Sequence, residues 1–182
     1  MSPRRICLVG VRGVGKTTLV RSVLPEVPRV DHIVGSSVLR LLAGEDFNRF
    51  DHLPPEVKDE YRRHAIAWME DHQAREGKTI LCDGHTSLLD ESTGMVGAVF
   101  TERDCRFFQE LVLVEAPLDV VLARRAGDAS KRRSLDPAVV AAELLAERET
   151  AARIAVEWGM KLHCLPPNTD ARASELLVEI LA

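Results

Sequence analysis

Nowhere does the chain offer the ~20 consecutive apolar residues that a helix needs to cross a bilayer, because charges interrupt every run. Met1-Ser2-Pro3-Arg4-Arg5 leads into a four-residue apolar run instead of a long hydrophobic leader, so a cytoplasmic protein without membrane attachment is expected. Cysteine is scarce. Cys7, Cys82, Cys105 and Cys164 form no Cys-x-x-Cys pair, and three of them sit inside short apolar runs where a thiol acts as a small hydrophobe. Neither disulfides nor a zinc site is expected. Aromatic residues make up only 4% of the chain, which leaves few stacking platforms for single-stranded nucleic acid. An excess of cationic charge is missing too: 24 basic against 28 acidic residues give a net charge of −4, so no global field draws the protein onto nucleic acid or anionic lipid. Affinity for anions must be local.

What is present fits one soluble globular domain over residues 1–182, with 46% hydrophobic and 29% charged residues. Four short apolar runs recur, at 6–9, 79–82, 111–114 and 162–165, and a weaker one spans 30–34. They are nearly continuous, which is how strands buried on both faces read. Between them lie helical segments. One starts at Pro54-Pro55 and runs to about Glu76 with Val57, Tyr61, Ala65, Trp68 and Met69 on one face; another follows Asp136-Pro137 and stops at Gly159. Such alternation requires parallel pairing with helices on both sheet faces, a three-layer α/β domain whose ligands bind beyond the carboxyl ends of the strands.

Directly after the first strand stands Gly10-Val11-Arg12-Gly13-Val14-Gly15-Lys16-Thr17-Thr18, a match to G-x-x-x-x-G-K-[ST] in its strand-to-helix context. The glycines let successive N–H groups and the following helix N-terminus converge on one anion. Gly10, Arg12, Gly13, Val14, Gly15, Lys16, Thr17 and Thr18 are therefore the candidate nucleotide-binding residues. Lys16 would reach the β and γ phosphates, and the Thr17 hydroxyl would ligate Mg²⁺. ATP or GTP is implied. No N-K-x-D guanine motif follows a late strand, since Asn168-Thr169-Asp170 lacks the lysine, so GTP signalling is not expected.

Asp83 ends the second strong apolar run and should project at its carboxyl end, where a carboxylate holds Mg²⁺ or its water; capping of the next loop is the competing role. His85, two residues on, could touch substrate or make a structural hydrogen bond. Arg124, Arg125, Lys131, Arg132 and Arg133, with Asp128 as the one acid among them, form a cluster suited to closing over phosphates, or else a solvated basic loop. Arg148 shares a helical stripe with Leu144, Ala151 and Ala155, so its guanidinium starts from an inward face and either meets an anion or snorkels out. Ser36, Ser37, Arg40 and Arg49, after the second strand, are candidates for the acceptor side, and the face of Val57, Tyr61, Trp68 and Met69 reads as core packing.

With these residues placed, the chain resembles the archaeal-type adenylate kinases, a branch of the P-loop nucleoside monophosphate kinases. Residues 10–18 match that family's G-x-P-G-V-G-K-[ST]-T with Arg12 in place of proline, and Asp83-Gly84-His85 resembles its D-T-H. Glu115-Ala116-Pro117 resembles its E-A-D-P, and Arg124-Arg125 with Asp128 and Arg132-Arg133 its R-x-x-R-D-x-x-R-x-R lid, while Arg148 falls on the arginine of the following helix. Val34-Gly35-Ser36 stands where the family carries Y-G-D, without the aromatic ring or the carboxylate. The resemblance implies a P-loop fold with a five-stranded parallel sheet in order 2-3-1-4-5, an acceptor segment at about 35–75, a mobile basic lid at about 124–136, and Mg-ATP-dependent phosphoryl transfer. Lys16, Asp83, Arg124, Arg132, Arg133 and Arg148 are then the catalytic candidates, Thr17 and Asp83 the metal ligands, and Ser36, Ser37, Arg40, Arg49 and His85 the substrate contacts.

A nucleoside monophosphate acceptor is already anionic and needs no general base. A hydroxyl acceptor, such as a nucleoside, sugar or antibiotic, needs a carboxylate, for which Asp83 is placed. An ATP-binding switch that phosphorylates nothing is the reading from another class.

Overall fold

The short apolar runs do become parallel strands, and the order in which they pair puts the glycine-rich loop at the centre of the sheet. The structure, a computed structural model, describes residues 2–90, 93–128, 133–167 and 171–182. Lys131 and Arg132 of the basic cluster, and Asn168, Thr169 and Asp170, lie outside the described residues. The strands are β1 (Arg5–Val9), β2 (Val30–Val34), β3 (Thr79–Asp83), β4 (Ser87–Asp90), β5 (Met95–Ala98), β6 (Glu110–Leu113) and β7 (Lys161–Cys164). The helices are α1 (Lys16–Val23), α2 (Gly35–Ala43), α3 (Pro55–Glu76), α4 (Glu102–Phe107), α5 (Leu118–Gly127), α6 (Pro137–Trp158) and α7 (Arg172–Leu181).

The main sheet runs β2-β3-β1-β6-β7 and every pair in it is parallel, which is the expected order 2-3-1-4-5. Along β1, Ile6 and Leu8 face one side and Cys7 and Val9 the other, as strand pleating requires. The first side packs on α1, α5 and α7 through residues such as Leu19, Val121 and Leu177; the second packs on α2, α3 and α4 through Val38, Met69 and Cys105. Helix α6 joins both. Its early turns reach the first core through Val140 and its late turns the second through Ala151 and Ile154, so its middle crosses beyond the carboxyl ends of the strands.

Local chemistry accounts for the helix ends. Pro55 opens α3 and Gly77 closes it at φ 65°; the Asp136 carboxylate accepts from Ala138 N at 2.8 Å at the start of α6, and Gly159 closes it at φ 62°. Both helices coincide with the sequence expectation. The β4–β5 antiparallel hairpin, in the stretch after Asp83, has no counterpart among the expected elements. Cys7 and Cys82 sit side by side on β1 and β3 as free thiols, and Cys164 is exposed, so that last run is less buried than its composition indicates.

At the outer edge, β2 pairs only with β3. Its Asp31 carboxylate accepts from Lys78 Nζ at 3.0 Å and lies 3.1 Å from His72 Nε2. Among the described residues no helix is long and apolar enough to cross a membrane.

Candidate functional site

The loop at 10–15 turns on glycines for reasons visible in its surroundings. Gly10 has φ 148°, and a Cβ there would lie 2.4 Å from the Val114 carbonyl oxygen. That carbonyl cannot retreat, because Val114 N donates to Val9 O at 2.8 Å and ties β1 to the end of β6. Gly13, at φ 91°, rests on the Arg125 side chain. Gly15, at φ 99°, is the N-cap of α1 and brings no side-chain cap, which leaves the first-turn amides at 16–18 facing the loop's concavity. The Val14 side chain is fully buried in the core, so that residue can offer a ligand only its backbone.

Lys16 is 6% exposed, and its ammonium donates to the Gly10 carbonyl at 2.5 Å and lies 3.6 Å from Asp83 Oδ1. Burial depresses its pKa, and the Asp83 carboxylate works against that depression. The Thr17 hydroxyl donates to Asp83 Oδ2 at 3.2 Å. One carboxylate thus joins Lys16 and Thr17, with Thr17 and Thr18 otherwise open to solvent. A hydroxyl and a carboxylate oxygen meeting beside an anion loop suit Mg²⁺, which is held by few protein oxygens and completes its shell with water and phosphate. In keeping with that, the described residues contain no cluster of three or more His, Cys, Asp or Glu able to hold a metal alone.

His85 lies against the same loop. Burial, then the neighbouring Lys16 and Arg12 cations, hold its imidazole well below the usual histidine pKa, against a hydrogen bond to the Gly10 backbone. Its Nδ1 is buried and has no hydrogen-bond partner among the described residues.

The arginines divide. Arg124 donates to the Val14 carbonyl at 2.6 Å, at the loop's apex. Arg133 is paired with Asp128 at 3.6 Å, while its Nε is buried without a hydrogen-bond partner among the described residues, and burial lowers its pKa. Arg148 takes the outward of its two expected courses: its side chain is 63% exposed and donates to Glu115 Oε1 at 2.8 Å, and that pairing raises its pKa. The buried residues of α6 are Val140, Glu143, Glu147, Ala151, Ile154 and Ala155; of the expected stripe, Ala151 and Ala155 are buried and Leu144 packs on the first core, while Arg148 turns outward and the neighbouring Glu147 is the charge that points in.

Ser36 is exposed, and Ser37 borders a groove of about 430 Å³ along β2, walled by Val38, Leu41, Trp68 and His72. The Arg40 guanidinium lies over the Phe47 ring at 4.8 Å, and Arg49 is paired with Asp46 at 2.7 Å. Both cations are engaged within their own segment.

Beneath the loop, Glu147 and Glu143 escape sequence reasoning, and Arg125 is read there only as one member of the basic cluster. Glu147 is 1% exposed and accepts from Gly10 N at 2.9 Å and from Ser87 N at 2.6 Å. Arg125, 4% exposed, donates from Nε to the Arg12 carbonyl at 2.9 Å and from Nη1 to Ser134 O at 3.2 Å and Glu143 Oε2 at 2.7 Å. The Arg125–Glu143 pair therefore pins the loop from below. An inward carboxylate two turns into an amphipathic helix gives no signal of its own in a sequence.

A family model described as "AAA domain" matches residues 9–140. Similar solved structures include a shikimate kinase from Acinetobacter baumannii in complex with shikimate, with 20% identity and a TM-score of 0.60 over 98% of this chain and 91% of that one. A shikimate kinase from Bacteroides thetaiotaomicron has 16% identity and a TM-score of 0.56 over 98% and 96%. A gluconokinase from Sinorhizobium meliloti 1021 has 14% and 0.52 over 98% and 95%. No curated protein matches.

Proposed function

The chain belongs to the AAA domain family, and from that membership we propose that it catalyses Mg-ATP-dependent phosphoryl transfer to a small acceptor. The observation that carries the reading is the Lys16–Asp83–Thr17 constellation on a glycine-built anion loop. Its neighbours in fold are named shikimate kinase and gluconokinase, which supports a small-molecule kinase. Backbone amides at 13–18 bind the phosphates and Lys16 leaves the Gly10 carbonyl for them. Thr17 and Asp83 hold Mg²⁺, which when bound offsets charge on the β and γ phosphates. Arg124, Arg132 and Arg133, from a lid at about 124–136, neutralise the group in flight, with Arg148 of α6 joining them on release from Glu115; positioning and electrostatics do the catalysis. The whole of 1–182 acts as one unit.

For the acceptor, we favour a hydroxyl over the nucleoside monophosphate that the resemblance to archaeal-type adenylate kinases implies. The Arg40 and Arg49 cations that would grip a monophosphate in the segment 35–75 are engaged by Phe47 and Asp46. The partnerless Nδ1 of a neutral His85 offers a lone pair that a hydroxyl donor satisfies and a dianionic phosphate does not. An ATP-consumption screen over nucleosides, sugars, other small alcohols and nucleoside monophosphates is expected to yield a phosphomonoester of a hydroxyl compound. Turnover confined to monophosphates, with diphosphate products, would restore the nucleotide-kinase reading; ATP hydrolysis with no phosphorylated acceptor would leave a switch protein.

Arg148→Ala tests the lid arginines separately. An exposed ion pair contributes at most about 1 kcal/mol, so the variant is expected to unfold at nearly the wild-type temperature. A loss of turnover of roughly tenfold or more at that unchanged stability would assign Arg148 to the reacting phosphoryl group.

A further inference from the structure

We propose that Glu147, on α6 and outside the nucleotide loop, is a positioning residue that fixes the loop's first peptide and thereby the resting place of Lys16. The inference rests on reading residues 10–18 as a nucleotide loop. Glu147 Oε1 accepts from Gly10 N at 2.9 Å and from Thr86 N at 3.0 Å. Its Oε2 accepts from Ser87 N at 2.6 Å, from the Ser87 hydroxyl at 2.8 Å and from the Thr86 hydroxyl at 2.9 Å. A carboxylate this deeply buried persists only when donors replace its lost water, and here the donors come from the two loops that frame the site. Thr86 and Ser87 follow Asp83 by three and four residues; Gly10 opens the phosphate loop.

The N–H so held belongs to the Val9–Gly10 peptide and the carbonyl that Lys16 uses to the Gly10–Val11 peptide, and the two planes meet at the Gly10 Cα. With its N–H committed to Glu147, the Gly10 unit is oriented, and the Gly10 carbonyl receives the Lys16 ammonium at 2.5 Å. Glu147 acts at a distance on the ammonium through the Gly10 residue, whose N–H it holds and whose carbonyl Lys16 meets. Because the same carboxylate also holds 86–87, it keeps the end of β3, and with it Asp83, in register with the loop. Nor does a glutamine serve. Its amide has one acceptor oxygen and places an N–H₂ where the carboxylate had a second acceptor, so whichever way it turns, a donor faces either Gly10 N or the Ser87 donors.

The test is calorimetric titration of the full chain with Mg-ADP, which reads the loop without needing the acceptor. Glu147→Gln is expected to weaken binding by roughly tenfold or more, the size of a lost hydrogen bond to a charged group, at a temperature where circular dichroism shows the variant folded. Glu149→Gln, an exposed neighbour with the same charge change, is expected to bind as the wild type does. If Glu147 acts through Lys16, its effect shrinks in a Lys16→Met background, whereas a merely structural role adds to it. Should Glu147→Gln not fold, Ser87→Ala removes one donor from Oε2 and is expected to weaken binding about threefold. Unchanged affinity in a folded Glu147→Gln or in Ser87→Ala, or full additivity with Lys16→Met, overturns the proposal. Failure of the wild-type chain itself to bind Mg-ADP is a different result, which removes the nucleotide loop and this inference with it.

Discussion

Lys16→Met is expected to lower phosphoryl transfer by at least about 10²-fold while the protein still unfolds cooperatively, as read by steady-state kinetics beside a thermal melt. The side chain is buried among polar groups of the loop, not in either apolar core, and methionine keeps most of its stem. What disappears is the one ammonium that bridges the Gly10 carbonyl and Asp83. Its depressed pKa reflects burial, and an anion arriving in the loop would supply the charge that the site lacks. Asp83 keeps the Thr17 hydroxyl, so the variant does not strand the carboxylate without a donor. Full activity in Lys16→Met would remove the nucleotide from residues 10–18.

The second large effect is structural. Gly10→Ala is expected to cost about 2–4 kcal/mol, or roughly 4–16 °C in the midpoint of thermal unfolding. The added methyl would meet the Val114 oxygen at 2.4 Å, backbone against backbone, at the junction of the two central strands. A positive φ alone does not carry that cost. Gly94 and Gly159 share it, at 69° and 62°, with nothing within 4 Å of the Cβ position, so alanine there is expected to cost only the left-handed backbone penalty of about 1–2 kcal/mol. Equal melting of all three variants would show that the approach of Val114 does not constrain the loop.

Much of this site is local in sequence, and that part was legible. Gly10, Gly13, Gly15, Lys16 and Thr17 announce an anion loop because their spacing and their chemistry are the same fact. Asp83 follows from the end of a buried run, and the helix ends from Pro55, Gly77, Asp136 and Gly159. The strand order came with the family resemblance. The remainder was hidden for physical reasons. Helix α6 changes the core it faces along its length, so no single stripe describes it; a stripe through Leu144, Ala151 and Ala155 sets Arg148 on the same side and gives no hint of Glu147 beside it. The four-residue strands of the β4–β5 hairpin are too short to show a period. Arg125 reads as one cation among five, and only its contacts, the carbonyls of 12 and 134 and the Glu143 carboxylate, reveal its place beneath the loop.

The outermost strands have a bearing on how copies of this chain meet. An unpaired strand edge is a template onto which another molecule can extend a ladder, the first step towards fibrous association. Here β2 carries Asp31 with its Lys78 and His72 partners, and β7 on the opposite flank carries Lys161 and His163. Ionisable studs on both borders make any such docking strip water from charge, so the sheet is kept at five strands by its rims as well as by its helices.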